Sequence, residues 1–169
     1  MTISMYQASV PVLINRLNAL SQVLAKAEEN ATARKIDPKV FLSARLAPDM
    51  LTLTQQVQIA SDNAKGIASR LAGREIPSYE DNEASFAELQ ERIAKTVRYL
   101  ESFASADIDG SEERPVEMRL RGGPVTFTGQ QYLLNFGMPN FYFHVVAAYA
   151  ILRHNGVPLG KLDFAGPPP

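Results

Sequence analysis

The chain has no cysteine and two histidines, so His144 and His154 are the side chains best placed to exchange protons near neutral pH. Ten residues separate them, which on a helix amounts to ~1000° of rotation and ~15 Å of rise, so they cannot chelate one metal. His154 lies beside Arg153 where a helix would end, and a cation there is favoured by the helix dipole. His144 stands instead in Asn140-Phe-Tyr-Phe-His144-Val-Val-Ala-Ala, surrounded by apolar and aromatic residues. Asn140, four positions earlier, lies only ~40° round the helix, at the spacing used by paired helical metal ligands. Asp49 follows Pro48 as Asn140 follows Pro139. In one arrangement the three ring a polar pocket: His144 is ligand or general base, Asp49 ligand or orienter of the imidazole, and Asn140 ligand or hydrogen-bond partner. In the other, Asp49 is a first-turn acid stabilised by free backbone N–H groups and His144 is a buried, hydrogen-bonded structural residue.

Most other chemistries lack their signatures. The sequence has no Gly-rich phosphate loop, no Gly-x-Ser-x-Gly, no His-Glu-x-x-His and no Glu-x-x-His. Without cysteine there is no disulfide scaffold, thiol nucleophile or iron–sulfur cluster. A net charge of −1 and a pI near 6.1 argue against nucleic acid as a partner, because phosphate binding needs a concentrated basic surface. The start lacks a basic and then apolar leader, and the longest apolar stretch, Val145 to Leu152, is far shorter than the ~18 residues of a membrane span. The expectation is a soluble cytoplasmic protein without membrane contact.

The elements that would position these residues follow from apolar spacing. Tyr6, Val10, Leu13, Leu17, Leu20 and Leu24 form one helical stripe over residues 3 to about 31, with Pro11 marking a kink or a true start near Val10. Asp37-Pro38 reads as an N-cap and first helical position for a short turn. From Pro48 a second long helix carries Met50, Leu53, Val57, Ala60, Ala64, Ile67 and Leu71, with Gly73 as its stop. Residues 73–82 read as a loop. Phe86, Leu89, Ile93, Val97 and Leu100 define a third helix, with Glu88, Glu91, Arg92, Lys95 and Arg98 on a solvated face. Alternation in Val116-Glu-Met-Arg-Leu120 and Val125-Thr-Phe127 about Gly122-Gly123 predicts a β-hairpin that must lie on the helices. Thr128-Gly-Gln-Gln131 is a capping box that opens a fourth helix, interrupted at Gly137 and Pro139, resuming at Pro139 and ending at Asn155-Gly156. The six aromatics from Tyr132 to Tyr149 read as core or as a subunit interface. The expected fold is a single all-α domain over 1–169, a four-helix bundle with an accessory hairpin between its third and fourth helices and an extended tail over 159–169.

Ala44-Arg-Leu-Ala-Pro-Asp-Met50, Gln55-Gln-Val-Gln-Ile-Ala60, and the block from Pro139 to Lys161 resemble the bacterial family DUF1993. That family is similar to the DinB/YfiT-like superfamily of metalloenzymes, four-helix bundles often found as dimers. The resemblance implies the same fold, and a homodimer with a small-molecule ligand. Members with a metal hold it through three histidines, one from the second helix and two spaced four apart on the last. The matching positions here are Asp49, Asn140 and His144, so two histidines are replaced. The resemblance thus implies either one divalent transition metal (nickel, zinc or manganese) with metal-dependent transferase or isomerase chemistry, or a metal-free polar cluster. The alternative function is a noncatalytic homodimeric binding or structural protein.

Overall fold

Apolar residues at steps of three and four dominate the chain, and a computed structural model describing residues 2–166 gathers them into a bundle of four long helical segments. The first, α1 (Val10–Ala33), starts where Pro11 allows: proline in the first turn loses no hydrogen bond. Asp37 caps the short α2 (Pro38–Leu42) by accepting from the Lys39 N–H. The next long helix, α3 (Leu53–Ala72), opens later than Pro48, because Thr52 and Gln55 form a reciprocal capping box. Residues 47–50 are therefore a turn, closed by Met50 N–H donating to the Ala47 carbonyl. Gly73 ends α3 in the left-handed conformation expected of a C-terminal glycine.

Ser85 caps α4 (Phe86–Glu101). A short α5 (Ser105–Ile108) follows within a stretch that has no helical periodicity in the sequence. The hairpin pairs β1 (Pro115–Leu120) with β2 (Gly123–Thr128) in antiparallel register, Val116 opposite Phe127 and Leu120 opposite Gly123. It lies on the bundle through Val116, which is buried, and through Phe127, whose ring packs 5.7 Å from that of Phe136.

The last long segment is continuous rather than broken. After α6 (Gly129–Tyr132), the chain widens into a π-helical turn over Leu133–Gly137 and runs directly into α7 (Met138–His154). Pro139 has no N–H and crowds the preceding turn, and the widened turn absorbs both defects without a break. Gly137 is required there: a Cβ would lie 2.8 Å from Cγ1 of Ile67, so only glycine lets this segment approach α3 so closely. α3 and α7 form the most extensive helix pair, while α4 packs on α1 and α3. Phe41, Phe86, Phe141, Leu13, Leu17 and Ile67 fill the interior.

Two further expectations are corrected. The tail is not extended throughout: Lys161–Ala165 form a short helix, α8, docked on α1, where Arg16 donates to the carbonyls of Phe164 and Ala165. Residues 167–169 of that predicted tail lie outside the described residues. Arg92 is not part of a solvated face but 3% exposed, buried beneath the segment joining α3 to α4. Its Nη1 donates to the Glu80 carbonyl (3.0 Å) and Glu83 (2.9 Å), and its Nη2 to Asp62 (2.9 Å), with Asp81 3.0 Å away. Periodicity places Arg92 at the border of its stripe; the connecting segment folding back over it supplies the burial. Among the described residues, no helix is long and apolar enough to cross a membrane.

Candidate functional site

His144 lies on the side of α7 that borders α3, half-buried. Its Nδ1–H donates to Oε1 of Gln56 at 2.7 Å. The tautomer follows from chemistry, since an amide oxygen only accepts, and the amide is oriented by its Nε2 donating to the Leu51 carbonyl at 3.3 Å. Leu51 immediately precedes the Thr52 cap, so the irregular backbone at the start of α3 holds Gln56, and Gln56 holds the imidazole. Gln56 is itself 1% exposed. Burial pushes the His144 pKa below the ordinary histidine value, and no carboxylate opposes that shift. The imidazole is therefore neutral at pH 7, and its Nε2 lone pair has no hydrogen-bond donor among the described residues. The ring of Phe143 stands edge-on to it, centroids 5.2 Å apart.

Asn140 shares the face one turn before. Its Nδ2 donates to the Phe136 carbonyl at 3.0 Å, on its own helical segment, which leaves Oδ1 as its uncommitted atom. Asp49 is exposed in the turn of residues 47–50, and among the described residues no hydrogen bond or ion pair joins it to Asn140 or His144. The structure thus brings Asn140 and His144 onto one face and places Gln56, not Asp49, against the imidazole. With α3 starting at Leu53, Asp49 lies outside the helix whose dipole would have stabilised it.

Gln56 carried a signal that spacing alone does not interpret. It borders the apolar stripe of Leu53, Val57 and Ala60, and Asn63 and Arg70 follow at intervals of seven, a polar row beside the apolar one. Lone polar residues at a stripe's edge are common on any helix; what singles out Gln56 is its partner across the α3–α7 seam.

These donors fit a transition metal poorly. Tight sites use several imidazole, thiolate or carboxylate groups. Here one imidazole nitrogen and the Asn140 amide oxygen are available, and no group of three or more His, Cys, Asp or Glu among the described residues could hold a metal ion. What the geometry provides is a neutral imidazole of fixed tautomer beside an apolar surface, able to accept a hydrogen bond or take a proton at Nε2.

Residues 5–165 match the family model described as Domain of unknown function (DUF1993). A crystal structure of a DinB family member protein from Shewanella denitrificans is 38% identical, with a TM-score of 0.89 over 97% of this chain and 93% of that one. No curated protein matches the chain.

Proposed function

The chain belongs to the DUF1993 family, and from that premise we propose that it binds a small organic molecule at the α3–α7 seam, with His144 Nε2 as hydrogen-bond acceptor or general base. The observation that carries this reading is the Gln56–His144 hydrogen bond, which fixes the tautomer and leaves one lone pair unclaimed. The imidazole is only half-buried and Nε2 reaches solvent, so a ligand can take the place of water there. Asn140 Oδ1, one turn away, supplies a second acceptor, so the ligand should present donors. Any chemistry is then proton transfer by His144, without a resident metal.

The test has two parts. Elemental analysis of untagged protein, before and after incubation with nickel, zinc or manganese, should find no stoichiometric metal. A metal present near one equivalent and lost in His144→Ala would overturn the reading in favour of the metal site implied by Asp49, Asn140 and His144. In parallel, a fragment library screened by NMR should yield donor-bearing ligands that shift the His144 ring signals and are lost in His144→Ala without loss of fold.

A separate observation favours homodimerisation. Phe143 is 57% exposed and Val146 46%, and with Leu46, Met50 and Ala150 they line one shallow apolar depression on the outer face of α7. Contiguous exposed apolar side chains of this kind commonly mark an interface. Light scattering coupled to size exclusion should give a dimer that Val146→Lys converts to monomer; a wild-type monomer would rule this second reading out.

A further inference from the structure

About 14 residues along α3 from Gln56, hence ~21 Å away, the polar row ends in a second and independent arrangement. Asn63, Arg70 and Tyr132 line one open groove of about 500 Å3, together with Ile76, Met118 and Phe136. Arg70 lies across α3 because residue 66 is glycine: a Cβ there would sit 2.6 Å from the Arg70 Nη1. That nitrogen donates to the Tyr132 hydroxyl at 3.0 Å, and the guanidinium stands 5.5 Å from the centre of the Tyr132 ring. The contact uses the tyrosine oxygen as acceptor, so the hydroxyl proton must be offered elsewhere. Burial raises the Tyr132 pKa, outweighing the nearby Arg70, and the phenol keeps that proton. The Nδ2 of Asn63 is shut away from solvent with no acceptor.

The groove therefore holds a surplus of donors. Among the described residues, no carboxylate pairs with Arg70, and nothing accepts from its Nε or Nη2, from the Tyr132 hydroxyl or from Asn63 Nδ2. Two carboxylates do border the groove, but both are committed: Asp62 to Arg92 and Lys65, and Asp81 to Arg92. They also weigh against a dianion such as phosphate, which like charges on the wall would repel. The rest of the lining is mixed: Lys65, Ser78 and Tyr79 are polar, while Ile76, Pro77, Met118 and Phe136 form an apolar strip, with the Phe136 and Tyr132 rings stacked at 6.2 Å.

We propose that this groove binds a small monocarboxylate with a flat apolar body, its carboxylate seated on the Arg70 guanidinium and the Tyr132 hydroxyl and its body against Phe136, Met118 and Ile76. Arginine presents a planar fork matched to a carboxylate, and a partly dry groove strengthens such contacts. The site needs neither reaction nor binding at His144.

Phenylacetate, phenylacetamide and inorganic phosphate are suitable probes, titrated into the full chain and followed by 15N NMR, including the Arg70 Nε–H. Phenylacetate should saturate, with shifts confined to the groove. Phenylacetamide and the variant R70Q should each bind at least about tenfold more weakly than the wild-type pairing with phenylacetate, while R98Q, which removes an exposed arginine, should change nothing. R70K, which keeps the charge but not the fork, should fall between. No saturation by phenylacetate, equal binding of the neutral amide, or unaltered binding in R70Q or R70K would each overturn the proposal. Phosphate binding more tightly than phenylacetate at the Arg70 resonance would overturn the monocarboxylate class. The comparison of acid with amide needs no variant, so it decides the matter even if R70Q fails to fold.

Discussion

Arg92 and His144 both stand at the border of an amphipathic helix and both turn a polar head toward the protein, but their surroundings answer them differently. Around Arg92 almost everything is satisfied. Three carboxylates and two backbone carbonyls, those of Glu80 and Gln58, meet its two terminal nitrogens, Gln58 Nε2 secures the far oxygen of Glu83 at 2.8 Å, and only Nε is left without a partner. Tyr79 lies against the same cluster, its ring centre 3.8 Å from Lys65 Nζ and 4.1 Å from Lys95 Nζ, and ties the connecting segment down. At His144 one ring nitrogen is fixed and the other is left open. A saturated polar group can only hold a fold together, whereas an imidazole with one nitrogen open to solvent can also accept something from outside it. The sequence offers no way to tell them apart, because both are polar residues beside an apolar stripe.

The contrast can be broken most forcefully at Arg92. R92M should cost about 3 to 5 kcal/mol in urea denaturation, because it strands the Glu83 carboxylate, which the connecting segment carries inward against α4. Adding E83Q to R92M should recover about 1 kcal/mol or more by removing the stranded charge. A loss in R92M no larger than that of an ordinary surface substitution would return Arg92 to the solvated face. At the seam that carries His144, G137A should cost about 1 to 3 kcal/mol by forcing a methyl group into Ile67, and I67V in the same chain should restore part of it.

Smaller effects separate the two regions further. Q56A should lower stability by about 1 kcal/mol, and should show in 15N spectra as a mixture of His144 tautomers where the parent has one. If the parent already shows both tautomers, the fixed imidazole is wrong. The pH dependence should fall into two windows. The His144 pKa is depressed by burial, so as pH drops through the ordinary value of about 6.5 the unfolded chain takes up a proton that the folded chain refuses. Stability is then lost with falling pH, at no more than about 1.4 kcal/mol per unit, until the folded pKa is reached. Burial alone would raise the Glu83 pKa, but hydrogen bonds from Arg92 and Gln58 outweigh it and hold it below the ordinary glutamate range. Its contribution is present above that range and disappears as pH falls through its folded pKa. H144Q should erase the upper window only, and E83Q should diminish the lower one only. Unfolding followed over pH in the three proteins checks both assignments.

The bundle itself was legible because its evidence is local. Asp37-Pro38, Gly73, Thr128 to Gln131 and the stripes of α1, α3 and α4 each act within one or two helical turns, and each stands where spacing places it. Pro48 misled because a proline is as compatible with a turn as with a first helical position, and the Thr52–Gln55 box four residues later is the stronger start. The site was half legible. Asn140 and His144 share a face because four residues make about one turn. Gln56 reaches the imidazole from 88 residues away, and a contact of that range depends on how two helices settle against one another. The burial of Arg92 escaped for a related reason: it depends on a segment without periodicity, whose path is set by the charges it meets.

The widened turn at Leu133–Gly137 also sets a phase. Along an ordinary helix each step of four residues overshoots a full turn by ~40°, so Tyr132, Phe136, Asn140 and His144 would drift apart around the axis. A turn closed by one residue more rotates less per residue and takes up part of that drift. Tyr132 can therefore meet Arg70 while His144, three steps on, still meets Gln56 on the same helix. Shortening the turn by one residue would swing one half against the other by ~100°, with both ends pinned to α3. This stretch should accept a change of side chain, at exposed Leu134 for example, far more readily than a change of length.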